Sequence, residues 1–204
     1  MNISRRTYAA IAAPLLGSAL LLAGCSSDND SKDKGITDYD TTSQTASAGA
    51  SSCPTTPAAA DVKPQYTFHG TTGAAAVTGS TDTAGPLVKI TAPYSASHTE
   101  VHTLTQGTGP VVAEHSNVTV CYQGVNGRDG KIFDQTPYQD GQGATFGLDG
   151  VVPGFSKAIA GQRVGSTVAV AMVPADGYGA SGQPAAGIEP GDTLVFAIKI
   201  LANQ

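Results

Sequence analysis

Several stretches of the sequence place apolar side chains at every second position. The clearest run alternates four large apolar residues with smaller or polar ones: Leu194, Phe196, Ile198 and Ile200. Residues 118–123 and 168–172 repeat the pattern. Because successive side chains of a strand point to opposite faces of a sheet, these stretches predict half-buried antiparallel strands, separated by turns rich in Gly and Asn.

One segment has helical spacing instead. Phe155, Ala158 and Ile159 stand at positions i, i+3 and i+4, which lie on one face of a helix. Pro153 near the start and Gly161 after the end fit the usual asymmetry of helix termini. Several strands with one short helix covering their apolar face predict an α+β fold.

The first 24 residues have the features of an export signal. Arg5 and Arg6 precede an apolar stretch of about 15 residues, shorter than the roughly 20 that a spanning helix needs. The ending at residues 22–25 resembles a bacterial lipobox. This resemblance implies a lipoprotein signal peptide over residues 1–24 and an acyl chain such as palmitate on Cys25. It places the protein at the extracytoplasmic face of a bacterial cell membrane, with the export route, general secretory or twin-arginine, left open.

Composition divides the rest of the chain. Residues 25–66 are rich in Ser, Thr, Ala and Asp and predict a flexible tether, because they bury too little apolar surface to offset chain entropy. Residues 67–97 are mixed, and we expect an extended arm that adds a strand to the domain at 98–204. Without the signal, nine basic residues stand against sixteen acidic ones, which argues against nucleic-acid binding.

The sequence contains three cysteines. If Cys25 carries lipid, Cys53 and Cys121 remain, and outside the cytoplasm two such thiols either pair or stay free. The alternation puts Cys121 on the strand face opposite Tyr122, where a returning arm would reach it. The sequence alone leaves both possibilities open.

Blocks of the C-terminal half resemble the FKBP-type peptidyl-prolyl isomerases, in the order of that family and near its spacing: residues 118–124, 129–134, 151–155, 161–165, 176–182 and 188–196. The resemblance implies a twisted antiparallel sheet wrapped around one short α-helix, with a proline-binding pocket between them. It also implies isomerisation of X-Pro bonds in exported proteins by a monomer, with no cofactor and no metal. Macrolides of the FK506 type are further ligands that it implies.

The resemblance also assigns site residues. Four are expected to act in catalysis: Tyr122, Phe133, Asp134 and Tyr178. Five are expected to bind substrate: Val151, Val152, Phe155, Ile188 and Phe196. In this assignment Phe155 forms the floor under the prolyl ring, and the Tyr178 hydroxyl and the Ile188 N–H hold substrate carbonyls. Asp134 lies at the pocket edge. Independently, the alternation places Tyr122 and Phe196 on inward faces of their strands.

Several features depart from the family pattern, among them two pocket positions. Phe155 stands where tryptophan is common, and Ala144 falls where an aromatic wall residue is common. These departures leave a non-catalytic chaperone or binding module as an alternative function. A fainter alternative is a zinc site at His98 and His102, which are four residues apart but lie in a strand-like stretch.

Overall fold

The computed structural model describes residues 52–204, so the predicted signal peptide, Cys25 and residues 25–51 of the predicted tether lie outside the described residues. The described part contains nine strands and one α-helix: β1 (Tyr66–His69), β2 (Thr72–Thr78), β3 (Leu87–Ser95), β4 (Glu100–Thr105), β5 (Asn117–Asn126), β6 (Ile132–Gln135), β7 (Ala144–Gly147), α1 (Pro153–Ile159), β8 (Thr167–Met172) and β9 (Leu194–Asn203). Within these residues, no helix is long and apolar enough to cross a membrane.

Six strands form the main sheet, and all of its pairings are antiparallel. Its order is β4-β8-β9-β5-β6, with β7 pairing to the other part of β5. Helix α1 packs on one face of this sheet through Phe155, Ala158 and Ile159, the three residues with helical spacing. The α+β fold that the sequence predicts is therefore confirmed.

Strands β8 and β9 are buried on both faces, whereas half-buried strands were predicted. All six residues of β8 and the first eight of β9 are buried. The sequence alternates in side-chain size here more than in polarity. Larger residues such as Val170 and Ile198 face the helix, and small ones such as Ala169 and Ala197 face the opposite side. A face of small residues allows a second sheet to pack closely.

Residues 67–97 form most of that second sheet, instead of an arm that adds one strand. Strands β1, β2 and β3 pair in sequence order as antiparallel neighbours. Their buried residues Phe68, Val77 and Tyr94 pack against the small-residue face of the main sheet. We call β1–β3 the accessory sheet. The difference arises because this stretch is rich in alanine, which conceals a strand pattern that Ala75 and Val77 nevertheless follow.

Polar contacts also join the two sheets. Lys199 of β9 is buried, and its Nζ donates a hydrogen bond of 2.7 Å to Asp82 Oδ1 in the β2–β3 loop. The Val88 N–H donates to Gln123 Oε1 at 2.8 Å. A buried lysine is tolerated because this ion pair compensates part of its desolvation.

Residues 52–66 are attached to the domain, although the sequence assigns them to the tether. Cys53 and Cys121 form a disulfide, with Cα atoms 5.5 Å apart. The Cys53 N–H donates to the Gly141 carbonyl at 2.7 Å, and the Thr56 carbonyl accepts from the Gly85 N–H at 2.8 Å. This segment therefore lies against the loop that connects β6 to β7.

Candidate functional site

A pocket of about 270 Å³ lies between helix α1, the main sheet and the segment that joins β8 to β9. It is lined mainly by aromatic and aliphatic side chains: Tyr122, Phe133, Asp134, Phe146, Gly150, Val151, Val152, Phe155, Tyr178 and Phe196. Of the nine residues expected at the site, all but Ile188 line this one pocket. Residues from seven separate strands, helices and connecting segments thus meet in one hollow.

Phe155 lies at the centre of the aromatic lining. Its ring meets those of Phe196, Phe146 and Tyr122 edge to face, with centroid distances of 5.3, 5.7 and 6.0 Å. Phe155 is buried at the inner end of the pocket, on the first turn of α1. Edge-to-face contacts hold aromatic rings in preferred geometries, so this lining is fixed by its own packing.

The polar edge of the pocket is a tyrosine–carboxylate pair. The Tyr122 hydroxyl donates a hydrogen bond of 2.5 Å to Asp134 Oδ2. Burial, and after it this hydrogen bond to a carboxylate, raises the pKa of Tyr122 well above its usual 10.0. Asp134 itself is exposed at the rim. The pair therefore places a fixed acceptor charge beside an apolar hollow.

The pairing of β5 with β6 positions this pair. Gly124 faces Asp134 across the two strands, and a register shift follows between Gly124 and Val125. Just beyond β6, Thr136 forms two hydrogen bonds with Tyr122. The Tyr122 N–H donates to Thr136 Oγ1 at 2.8 Å, and the Thr136 N–H donates to the Tyr122 carbonyl at 3.0 Å.

The expected role of Ile188 is wrong. Its side chain is buried in the core, and its N–H donates to the Gln183 carbonyl at 3.1 Å, so this N–H is not available to a substrate. Val152 is the better candidate. It lines the pocket at the residue before α1, and within residues 52–204 its N–H donates no hydrogen bond. The first amides of a helix lack intrahelical partners, which leaves this donor free to face a ligand.

The aromatic wall that seemed absent is present two residues further along the chain. Phe146, not Ala144, lines the pocket, with its ring centroid 5.8 Å from that of Tyr122. Strand β7 pairs Phe146 with Val118 and Ala144 with Val120. Both residues are therefore on one face of β7, and the alternation of 144–147 was the signal that would have identified Phe146.

The two histidines considered for a zinc site lie away from this pocket. The His102 ring stacks on Tyr66, with centroids 3.7 Å apart, and His98 contacts Ser97. Among the described residues, no three His, Cys, Asp or Glu side chains are grouped as a metal ion would require.

Sheet, helix and aromatic hollow together form an apolar cavity with a carboxylate at its edge. A family model described as FKBP-type peptidyl-prolyl cis-trans isomerase matches residues 109–201. The peptidyl-prolyl cis-trans isomerase FKBP12 of Vicia faba is 32% identical over 103 residues, which are 48% of this chain and 91% of that protein. The chain belongs to the FKBP-type family.

Other relatives are longer than the matched region. FkpA of Escherichia coli K12 is 36% identical over 95 residues, which are 47% of this chain and 34% of that protein. The outer membrane protein MIP of Legionella longbeachae is 39% identical over 99 residues, 47% of this chain and 40% of that one. The chain thus spans about a third of the length of the FkpA relatives that it matches.

Among solved structures, a peptidyl-prolyl cis-trans isomerase from Pseudomonas syringae pv. tomato is 34% identical. The similarity covers 52% of this chain and 75% of that one, with a TM-score of 0.47. The accessory sheet lies before the residues that the family model matches.

Proposed function

We propose that this protein catalyses cis/trans isomerisation of X-Pro bonds in polypeptides. The observation that carries the proposal is the aromatic hollow that opens directly beside the Tyr122–Asp134 pair. Membership of the FKBP-type family supports it. At about 270 Å³ the pocket is at the small end for ligand sites, which suits one prolyl ring better than a large rigid ligand.

The apolar lining accounts for the main catalytic effect. Rotation about an X-Pro bond meets a barrier of roughly 20 kcal/mol, which arises from amide resonance. The planar amide is more polar than the twisted one, so transfer into apolar surroundings disfavours the ground state relative to the transition state. Lowering the barrier by about 5–7 kcal/mol gives four to five decades of rate.

The polar groups at the pocket edge orient the substrate. In our proposal Phe155 lies under the prolyl ring, with Val151, Val152 and Phe196 around it. The Val152 N–H and the Tyr178 hydroxyl hold carbonyl groups on either side of the prolyl bond. Asp134, held by Tyr122, faces the amide as it twists and loses resonance. The reaction needs no nucleophile, because no covalent bond is broken.

A protease-coupled assay on a proline peptide tests the activity. The full chain is the right material, because the accessory sheet covers Val195 and neighbouring apolar residues of the main sheet. We expect rate enhancement that collapses when Phe133→Ala, Asp134→Ala and Tyr178→Phe are combined. Val111→Ala, at an exposed residue outside the pocket, is the control and should retain full activity.

Two other outcomes of this assay are informative. If wild type and triple variant are equally slow but the wild type alone binds the peptide, the protein is a non-catalytic binding module or chaperone. If neither accelerates isomerisation and neither binds, the proposal is wrong. Competition by a macrolide of the FK506 type would test whether such ligands share the pocket, and sedimentation would test the proposed monomer.

The proposed site of action is the extracytoplasmic face of a bacterial membrane, with exported proteins as substrates. Support comes from the basic start, apolar stretch and lipobox-like ending of residues 1–25. Mass spectrometry of the protein from a bacterial membrane fraction tests it. A diacylglyceryl-modified N-terminal Cys25 is the expected result, and recovery of residue 1 with an unmodified Cys25 would contradict it.

A further inference from the structure

A buried glutamine lies on β5, on the strand face opposite the prolyl pocket. Gln123 is 4% exposed and directly follows Tyr122, whose side chain lines the pocket. Successive side chains of a strand point to opposite faces, so Gln123 faces the accessory sheet. On the same face, Val125 packs with the buried residues of the accessory sheet. Burial of an amide is unfavourable unless the amide is hydrogen-bonded, so the partners of Gln123 indicate its role.

Both ends of the Gln123 amide are hydrogen-bonded, and they join two different parts of the molecule. Gln123 Oε1 accepts a hydrogen bond of 2.8 Å from the Val88 N–H in β3 of the accessory sheet. Gln123 Nε2 donates one of 3.2 Å to Gln135 Oε1 at the end of β6. A continuous chain of hydrogen bonds therefore runs from the accessory sheet to the strand that carries Asp134.

Strand β6 depends on this link because its own pairing is short. It has four residues at an edge of the main sheet and pairs with β5 at three positions, with a register shift between Gly124 and Val125. Asp134 is exposed on this strand, and the next residue, Gln135, faces Gln123 across the two strands. Satisfied polar networks rigidify the elements that they join, so the Gln123–Gln135 bond restrains the backbone next to Asp134.

We propose that Gln123 is a positioning residue for isomerisation. By linking Gln135 to the accessory sheet, it holds Asp134 in place beside the Tyr122 hydroxyl. The inference rests on the proposed isomerase function. Neither glutamine lines the pocket, so the effect on catalysis acts through Asp134. The other end of the link, Val88, lies before the residues that the family model matches, so the accessory sheet supports the pocket from outside the matched region.

Substitutions at Gln135 test the proposal, because Gln135 is only partly buried and its replacement leaves the Val88 bond in place. Gln135→Met keeps the side-chain length and removes the acceptor. With the full chain, we expect it to lower kcat/KM about fivefold, the effect of one ordinary hydrogen bond. The Kd for the same peptide, from NMR titration, should stay unchanged, because Asp134 acts on the amide as it twists and the aromatic hollow is intact.

A conservative variant and a matched control make the test specific. Gln135→Glu keeps an acceptor oxygen for Gln123 Nε2 and should retain kcat/KM within about twofold of wild type. Gln65→Met is the control, because Gln65 Oε1 accepts from the Gly79 N–H at 2.6 Å, a bond within the accessory part that involves neither β5 nor β6. It should leave kcat/KM unchanged.

Three results would overturn the proposal. The first is wild-type kcat/KM in Gln135→Met. The second is an equal fall in Gln135→Met and Gln135→Glu. The third is a fall in Gln135→Met that is matched by the loss of peptide affinity, because that result would mean a general disturbance of the pocket.

The carboxyl carbon-13 shift of Asp134 separates this proposal from the isomerase function. If the wild type does not accelerate isomerisation, the function fails. A changed Asp134 signal in Gln135→Met and in Gln123→Met, with an unchanged signal in Gln65→Met, would still support the positioning role. An Asp134 signal that is identical in wild type and Gln135→Met would overturn it.

Discussion

The ring of Phe133 meets the ring of Phe196 edge to face, with centroids 5.4 Å apart, directly beside the backbone of Gly124. A β-carbon at position 124 would lie 2.7 Å from a carbon of each ring. Such distances do not occur between real side chains, so glycine is required here for the two rings to approach each other. This contact closes one side of the prolyl pocket.

Gly124→Ala should therefore push Phe133 or Phe196 out of the pocket lining. We expect a loss of about 1–3 kcal/mol in unfolding free energy and a fall of at least about tenfold in kcat/KM. Gly150→Ala is the matched control, because Gly150 lines the same pocket but has open space where its β-carbon would be. Equal activity of the two variants would contradict the expected packing.

Tyr122→Phe should change the response of the protein to alkaline pH. The raised pKa keeps the native Tyr122 protonated above pH 10.0, where the same tyrosine ionises in the unfolded chain. The unfolded state then binds fewer protons than the native state, so stability is complete below pH 10.0 and falls as the pH rises further. Urea denaturation on both sides of this pH should show a steeper decline for wild type than for Tyr122→Phe. Identical declines would mean that Tyr122 ionises normally.

The sequence predicted the main sheet and helix because their signals are local. Residues 194–200 alternate strictly, and Phe155, Ala158 and Ile159 carry a helical stripe. The resemblance to the family then predicted that distant residues line one pocket, because the order of the sequence motifs carries that information. Ala144 was misassigned to the wall position because a shift of two residues in a strand preserves the face of the strand. Ile188 was misassigned because its N–H pairs with the Gln183 carbonyl, a contact within a loop that the sequence does not show.

The accessory sheet could not be predicted for a different reason. Its strands bury alanine and valine against other small residues. Ala75 of the accessory sheet, for example, packs against the small-residue face of the main sheet, which includes Ala171. The sequence signal of a core is large apolar side chains, which this interface largely lacks. Phe68 and Tyr94 are exceptions, but neither lies in a long alternating run.

Phe68→Ala measures how much the accessory sheet contributes to stability. Phe68 is 1% exposed and is the largest wholly buried side chain against the small-residue face. Its truncation should cost about 3–5 kcal/mol in unfolding free energy, measured by urea denaturation. Val62→Ala, at a 37% exposed residue of the same N-terminal part, should cost about 0.5 kcal/mol or less. If the two variants are equally stable, the sheets do not pack as described.

Loss of the Cys53–Cys121 disulfide should destabilise the domain. The bridge joins residues 68 apart, and closing a loop of that length in the unfolded chain stabilises the native state by about 4 kcal/mol. We expect Cys53→Ser to lower Tm, and a reducing agent to lower the Tm of wild type toward the same value. The reducing agent should leave the Tm of Cys53→Ser unchanged. A reductant-insensitive wild type would show that the bridge does not contribute.

The His115–Asp149 contact should be visible in the titration of the imidazole. His115 Nδ1 lies 2.6 Å from Asp149 Oδ1, in the turn just before the pocket residues Val151 and Val152. The hydrogen bond and charge of Asp149, with a smaller effect of Glu114, raise the pKa of His115 above 6.5. This contact therefore contributes its stabilisation below pH 6.5 and loses it as the pH rises through the native pKa.

Both side chains are largely exposed, so the stability change is small and NMR titration of the imidazole is the better measurement. Asp149→Asn should lower the midpoint toward 6.5, and Glu114→Gln should lower it less. An unchanged midpoint in Asp149→Asn would mean that the two side chains do not pair in solution.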